Sequence, residues 1–159
     1  MKKRLTIALI LIPLLTACGN ESTISTLPDP VPDQEMHTSE EGLSLTLDED
    51  AFQGSPSVIK TVVQNTSSSD YQLGEFYHIE INKDGQWYII TYSDAVFLKN
   101  PSFKDYGNVL SAGSKARQTF SVDALGVTLI PGEYRLVKTF LSLGKPSYEL
   151  SVAVPFTVK

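Results

Sequence analysis

Apolar and polar residues alternate in short runs from Leu43 onward, and each run closes on a turn signal. Leu43, Leu45 and Leu47 alternate with Ser44 and Thr46, a period of two that puts the leucines on one face of a strand ending in Asp48-Glu49-Asp50. Residues 57–64 form a second run, closed by the polar stretch 65–70. Residues 74–82 and 86–91 flank Lys83-Asp84-Gly85, the clearest hairpin signal because Asp-Gly tolerates positive φ. In that hairpin Tyr77, Ile79 and Ile81 share one face, and His78 and Glu80 the other. A further strand is expected over 115–122, and another from Pro131-Gly132 through Tyr134 to Phe140. In the last run Tyr148, Leu150, Val152, Val154, Phe156 and Val158 all fall on one face. Pro155 has no N–H for a ladder, so this strand belongs at an edge or carries a bulge. No run extends into an amphipathic helix, and about seven strands in roughly 115 residues predict an all-β fold, an antiparallel β-sandwich.

The first 42 residues follow different rules. Lys2, Lys3 and Arg4 precede an eleven-residue apolar stretch, 5–15, interrupted only by Thr6 and Pro13. A spanning helix needs about 20 apolar residues, so this stretch reads as a signal peptide, residues 1–17. Residues 19–42 are rich in Ser, Thr, Asp, Glu and Pro, with Pro28, Pro30 and Pro32 at alternate positions. Such a composition predicts an extended, solvated tether over 18–42, spanning roughly 25 to 30 Å as a coil. The folded domain is then 43–159.

Leu15-Thr16-Ala17-Cys18 resembles the lipobox of bacterial lipoproteins. The resemblance implies that the Cys18 thiol receives a diacylglyceryl group and that cleavage falls between Ala17 and Cys18. It also implies a protein held by its N-terminal lipid on the extracytoplasmic face of the cell membrane. Cys18 is the only cysteine, so the domain has no internal disulfide. Its formal charge is acidic: beyond Cys18 there are 10 basic against 18 acidic residues, giving −8. That balance speaks against nucleic acid as a partner.

Leu129-Ile130-Pro131-Gly132-Glu133-Tyr134 is similar to the turn that opens the penultimate strand of many Ig-like domains. There a tyrosine hydroxyl bonds back to the corner before it, the role this implies for Pro131, Gly132 and Tyr134. With Val62-Val63-Gln64-Asn65, the hairpin 81–87 and the run 134–138, the chain resembles the bacterial Ig-like domains of Gram-positive lipoproteins. The resemblance implies an immunoglobulin-like sandwich and an interaction or accessory role in the cell envelope, without catalysis.

Candidate chemistry is sparse. His78 and Glu80 alternate on a strand and could pair, the core of a hydrolase reading, but no Gly-x-Ser-x-Gly elbow presents a nucleophile. His37 beside Glu35, Glu40 and Glu41 matches no ligand spacing, and Asp48-Glu49-Asp50 is not a calcium loop. No phosphate-cradling loop or dinucleotide fingerprint occurs, so neither metal nor cofactor is expected. Between Tyr92 and Ser114 lies a weakly periodic stretch with Phe97, Phe103 and Tyr106, flanked by Trp87 and Tyr88. These five aromatics are the candidate binding surface, for an envelope protein or alternatively a glycan or small ligand.

Overall fold

The computed structural model of the chain describes residues 23–92 and 106–159. Their strands are β1 (Ser39–Glu40), β2 (Leu43–Leu47), β3 (Ala51–Phe52), β4 (Val58–Asn65), β5 (Tyr71–Leu73), β6 (His78–Lys83), β7 (Gln86–Ile89), β8 (Asn108–Leu110), β9 (Lys115–Ser121), β10 (Gly132–Ser142) and β11 (Glu149–Val158). The seven expected runs are all present. The four extra strands have two or three residues each, too few for a period of two to register.

Two sheets result. One has the order β1-β2-β4-β9, and the other β3-β11-β10-β5-β8, with β6 on β10 and β7 on β6. Every pair is antiparallel except β3 with β11. Leu43, Leu45, Ile59, Val63 and Phe120 face inward from the first sheet and meet Ile79, Leu136, Phe140, Val152 and Phe156 from the second, all at most 2% exposed. Each such side chain contributes roughly 1.5–3 kcal/mol, so apolar packing is the main force between the sheets.

At the end of the last run, burial covers fewer residues than its pattern suggests. Val152, Val154, Phe156 and Val158 are buried, but Tyr148 precedes β11 and is 41% exposed. Pro155 lies on the outer flank of β11, where only the two-residue β3 and single backbone bonds reach it. Ala153 N–H donates to His37 O and Thr157 N–H to Asp50 O, and Pro155 midway between them has no donor to leave unpaired. Tyr134 is fully buried, stacks on Phe156 at 5.4 Å, and its hydroxyl donates to Ile130 O at 2.6 Å.

The strand expected over 74–82 begins only at His78, and Lys138 is the reason. Leu141 pairs with Gln72 and Val137 with His78, so the chain loops out between β5 and β6 along one edge of β10. The carbonyls of Gly74 and Phe76, turned out of the ladder, accept from Lys138 Nζ, whose side chain is 1% exposed and lies against the Phe120 ring. A buried ammonium tolerates that position only because acceptors surround it.

The largest departure concerns the expected tether. Residues 23–42 do not extend into solvent; they pack along the second sheet, cross its outer face and enter β1, because backbone and side-chain partners on the domain satisfy them (below). Val31 is 8% exposed, and Ile24 packs against the core.

Replacing Lys138 with Met keeps the volume but leaves two buried carbonyls without this donor, a cost of roughly 2–4 kcal/mol. Urea unfolding should show the midpoint falling accordingly; an unchanged midpoint would mean the ammonium contributes nothing to the late start of β6.

Candidate functional site

β7 is bonded to β6 along one edge, and residues 25–31 occupy the other. Leu27 N–H donates to Ile89 O and Val31 N–H to Trp87 O, each at 2.9 Å, and Thr91 N–H donates to Ser25 O at 3.0 Å. Thr26 bridges Ile90 antiparallel. The amides that face β7 belong to odd-numbered residues. Pro28, Pro30 and Pro32 are even, so their missing N–H groups are those that would point away, the position an edge strand permits. Lys83 Nζ adds a bond to Thr26 Oγ1 at 2.9 Å.

Past Val31 the segment crosses the outer face of the sheet. Gln34 clamps it, its Oε1 accepting from Trp87 N–H at 2.9 Å and its Nε2 donating to Val31 O at 2.6 Å. Beneath lies a buried ionic chain. Glu80 and Arg135, directly paired across β6 and β10, are 1% and 3% exposed, and Arg135 Nε donates to Glu80 Oε2 at 2.5 Å. The other carboxylate oxygen, Oε1, meets His78 Nε2 at 2.9 Å. The rest of the guanidinium fork is used by the crossing segment: Nη2 donates to Asp33 O at 2.6 Å and Nη1 to Gln34 O at 3.2 Å. The Trp87 ring covers Arg135 at 4.7 Å. A planar fork with donors in three directions can do this; an ammonium cannot.

Three surface grooves meet at Pro155. One of about 770 Å³ runs between residues 34–39 and Trp87, Arg135 and Ala153. A second, of about 420 Å³, joins Trp87 to Ala51, Glu133 and Phe156. The third, of about 570 Å³, is bordered by Thr38, Thr46 and the acidic Asp48-Glu49-Asp50. Together they form a concavity where the outer flank of β11 is not covered, between the bonds to His37 and Asp50.

A family model of the bacterial Ig-like domain matches residues 39–157. The chain belongs to that family. A comparison with curated proteins finds no match. The family is generally non-catalytic. His78 bonds a carboxylate that Arg135 also holds, and no serine hydroxyl is bonded to its ring among the described residues. Nor is any group of three or more His, Cys, Asp and Glu gathered for a metal among them.

The expected aromatic surface is not a single patch. Trp87 lies on the outer face over Arg135, whereas Tyr88, its neighbour on β7, packs against the core, as strand alternation requires. Tyr106 donates to Glu149 Oε1 at 2.7 Å, and Glu149 is opposite Leu141, six residues along β10 from Arg135, roughly 20 Å away at the rise of a strand. Phe97 and Phe103 lie outside the described residues, as do Ala17 and Cys18. The residues that shape the grooves, Gln34, Arg135 and Pro155, are not candidates from sequence. Their signals are the alternate prolines and the apolar Val137 and Ala153 at outward positions.

Two outcomes test this geometry. Glu80→Leu should cost roughly 3–5 kcal/mol by leaving Arg135 charged and unpaired, and adding Arg135→Met should recover much of it; a double-mutant cycle with no coupling would refute the pairing. The second concerns the phenols of Tyr77 and Tyr134, which burial pushes up to about 12 against the pull of their bonds to Ser121 O and Ile130 O. Folded values above the unfolded one mean their contribution is full below about pH 10 and is lost as pH rises towards about 12. Denaturation monitored alongside tyrosinate absorbance should show stability falling across that window, at most about 3 kcal/mol per phenol.

Proposed function

We propose that this chain is a lipoprotein whose Cys18 carries a diacylglyceryl group, holding the Ig-like domain at the extracytoplasmic face of the cell membrane as a non-catalytic module for protein interaction. The observation that carries the reading is the order of parts. A basic start, an eleven-residue apolar stretch and Leu15-Thr16-Ala17-Cys18 stand directly before an Ig-like domain matched over 39–157. Among the described residues no helix is long and apolar enough to cross a membrane. The thiol is the one strongly nucleophilic side chain available for a thioether.

The partner surface in this reading is the concavity around Pro155, floored by Trp87 and rimmed by Glu133 and Asp48-Glu49-Asp50. Its acidic rim suits a protein with basic residues at its contact edge and gives no attraction for nucleic acid.

Intact-mass measurement of the protein extracted from membranes should show cleavage before Cys18 and a diacylglyceryl addition, and Cys18→Ala should leave the membrane fraction. An unmodified Cys18, or a Cys18→Ala variant still membrane-bound, would overturn the reading.

A further inference from the structure

Composition predicts a long tether between the lipid anchor and the domain, and the described residues leave little of it. From Ser25 onward the chain is bonded to β7, with Thr91 N–H on Ser25 O, Leu27 N–H on Ile89 O and Val31 N–H on Trp87 O. Asp33 and Gln34 are then fixed by Arg135, and His37 by Ala153. This segment is also structurally required. Glu80, Arg135, Val137 and Ala153 all point out of the core yet are at most 3% exposed. Without the crossing segment the buried Arg135 of an ion pair and the Ala153 side chain would face water.

We propose that residues 23–40 are a strap belonging to the fold, so that only a leash of five residues, Cys18 to Ser22, separates the lipid from it and the lipidated protein is held within about 18 Å of the phospholipid headgroups. This rests on the lipoprotein reading above. Five residues span at most about 18 Å when fully extended and about 12 Å as a coil. A domain of roughly 115 residues is about 35 Å across from its expected radius of gyration. The leash is shorter than the body it holds, so the corner of the sandwich carrying Thr23, Ser25 and Thr91 stays turned to the bilayer. A solvated tether over 18–42 would reach roughly 85 Å when stretched and impose no orientation.

The test uses the mature lipidated protein in phosphatidylglycerol-containing bilayers. Hydrogen exchange read by mass spectrometry should find the amides of Leu27, Val31 and Ala153 protected to the degree of β10. Neutron reflectometry should place the inner edge of the protein layer within about 20 Å of the headgroups. Inserting a flexible Gly/Ser stretch of about twenty residues between Ser22 and Thr23 should move that edge outward and leave the exchange unchanged. Unprotected Leu27 and Val31 would overturn the strap, as would a water-filled gap of about 40 Å or more in the uninserted protein. Protected amides in a chain whose intact mass shows no lipid on Cys18 would overturn the lipoprotein reading and the headgroup proximity together, while the strap itself would stand.

Discussion

A strand buried on both faces imposes a condition on everything around it. β10 carries Tyr134, Leu136, Lys138 and Phe140 towards the core and Arg135 and Val137 away from it, and all six are at most 3% exposed. A sandwich of two sheets covers only the inner set. The outer set demands a third layer, and with no helix over it among the described residues the chain uses its own segment before β1. The Glu80–Arg135 pair makes the requirement strict, because a charge pair taken out of water is tolerable only with its remaining donors satisfied. The carbonyls of Asp33 and Gln34 satisfy them.

The same logic operates on the inner face at Lys138. A lysine in the middle of an inward-facing series would ordinarily contradict a strand, yet here it explains the geometry of its neighbours. The carbonyls freed where β5 and β6 part company converge on its ammonium, with Gln118 Nε2 sharing Gly74 O. Asn65 does comparable work at the other end of β4. It donates to Ser69 O and Leu110 O and accepts from Ser67, which fixes the turn into β5. Polar side chains thus set the places where the regular ladder stops, and apolar ones hold the regular parts.

Much of this is legible without coordinates. Period-two runs locate the seven longer strands, Asp84-Gly85 the hairpin with both residues at positive φ, and Pro155 an exposed flank. Short strands such as Ala51–Phe52 are not, because two residues carry no period. The strap escapes for a specific reason: its composition is that of a solvated linker, and composition ignores register. Pro28, Pro30 and Pro32 alternate as the outward positions of an edge strand must, with Leu27 and Val31 supplying the inward donors. The Trp87 to Tyr106 surface rests on residue type alone, and type does not say that successive residues on β7 face opposite ways.

Arg135 also bears on how the strap finds its place. An apolar outer face would be covered almost as well by the strap shifted one residue along, since hydrophobic contact has little directionality. The fork fixes the height of the strap through Gln34 O and Asp33 O while Nε is committed to Glu80, and a slip of one residue would take the Gln34 amide away from Trp87 N–H. A slip of one residue would also turn a proline amide towards β7 where Leu27 and Val31 now donate. Register is therefore fixed twice, once by Gln34 and once by the prolines. The concavity at Pro155 inherits its shape from that fixed strap, since residues 34–39 form one of its walls.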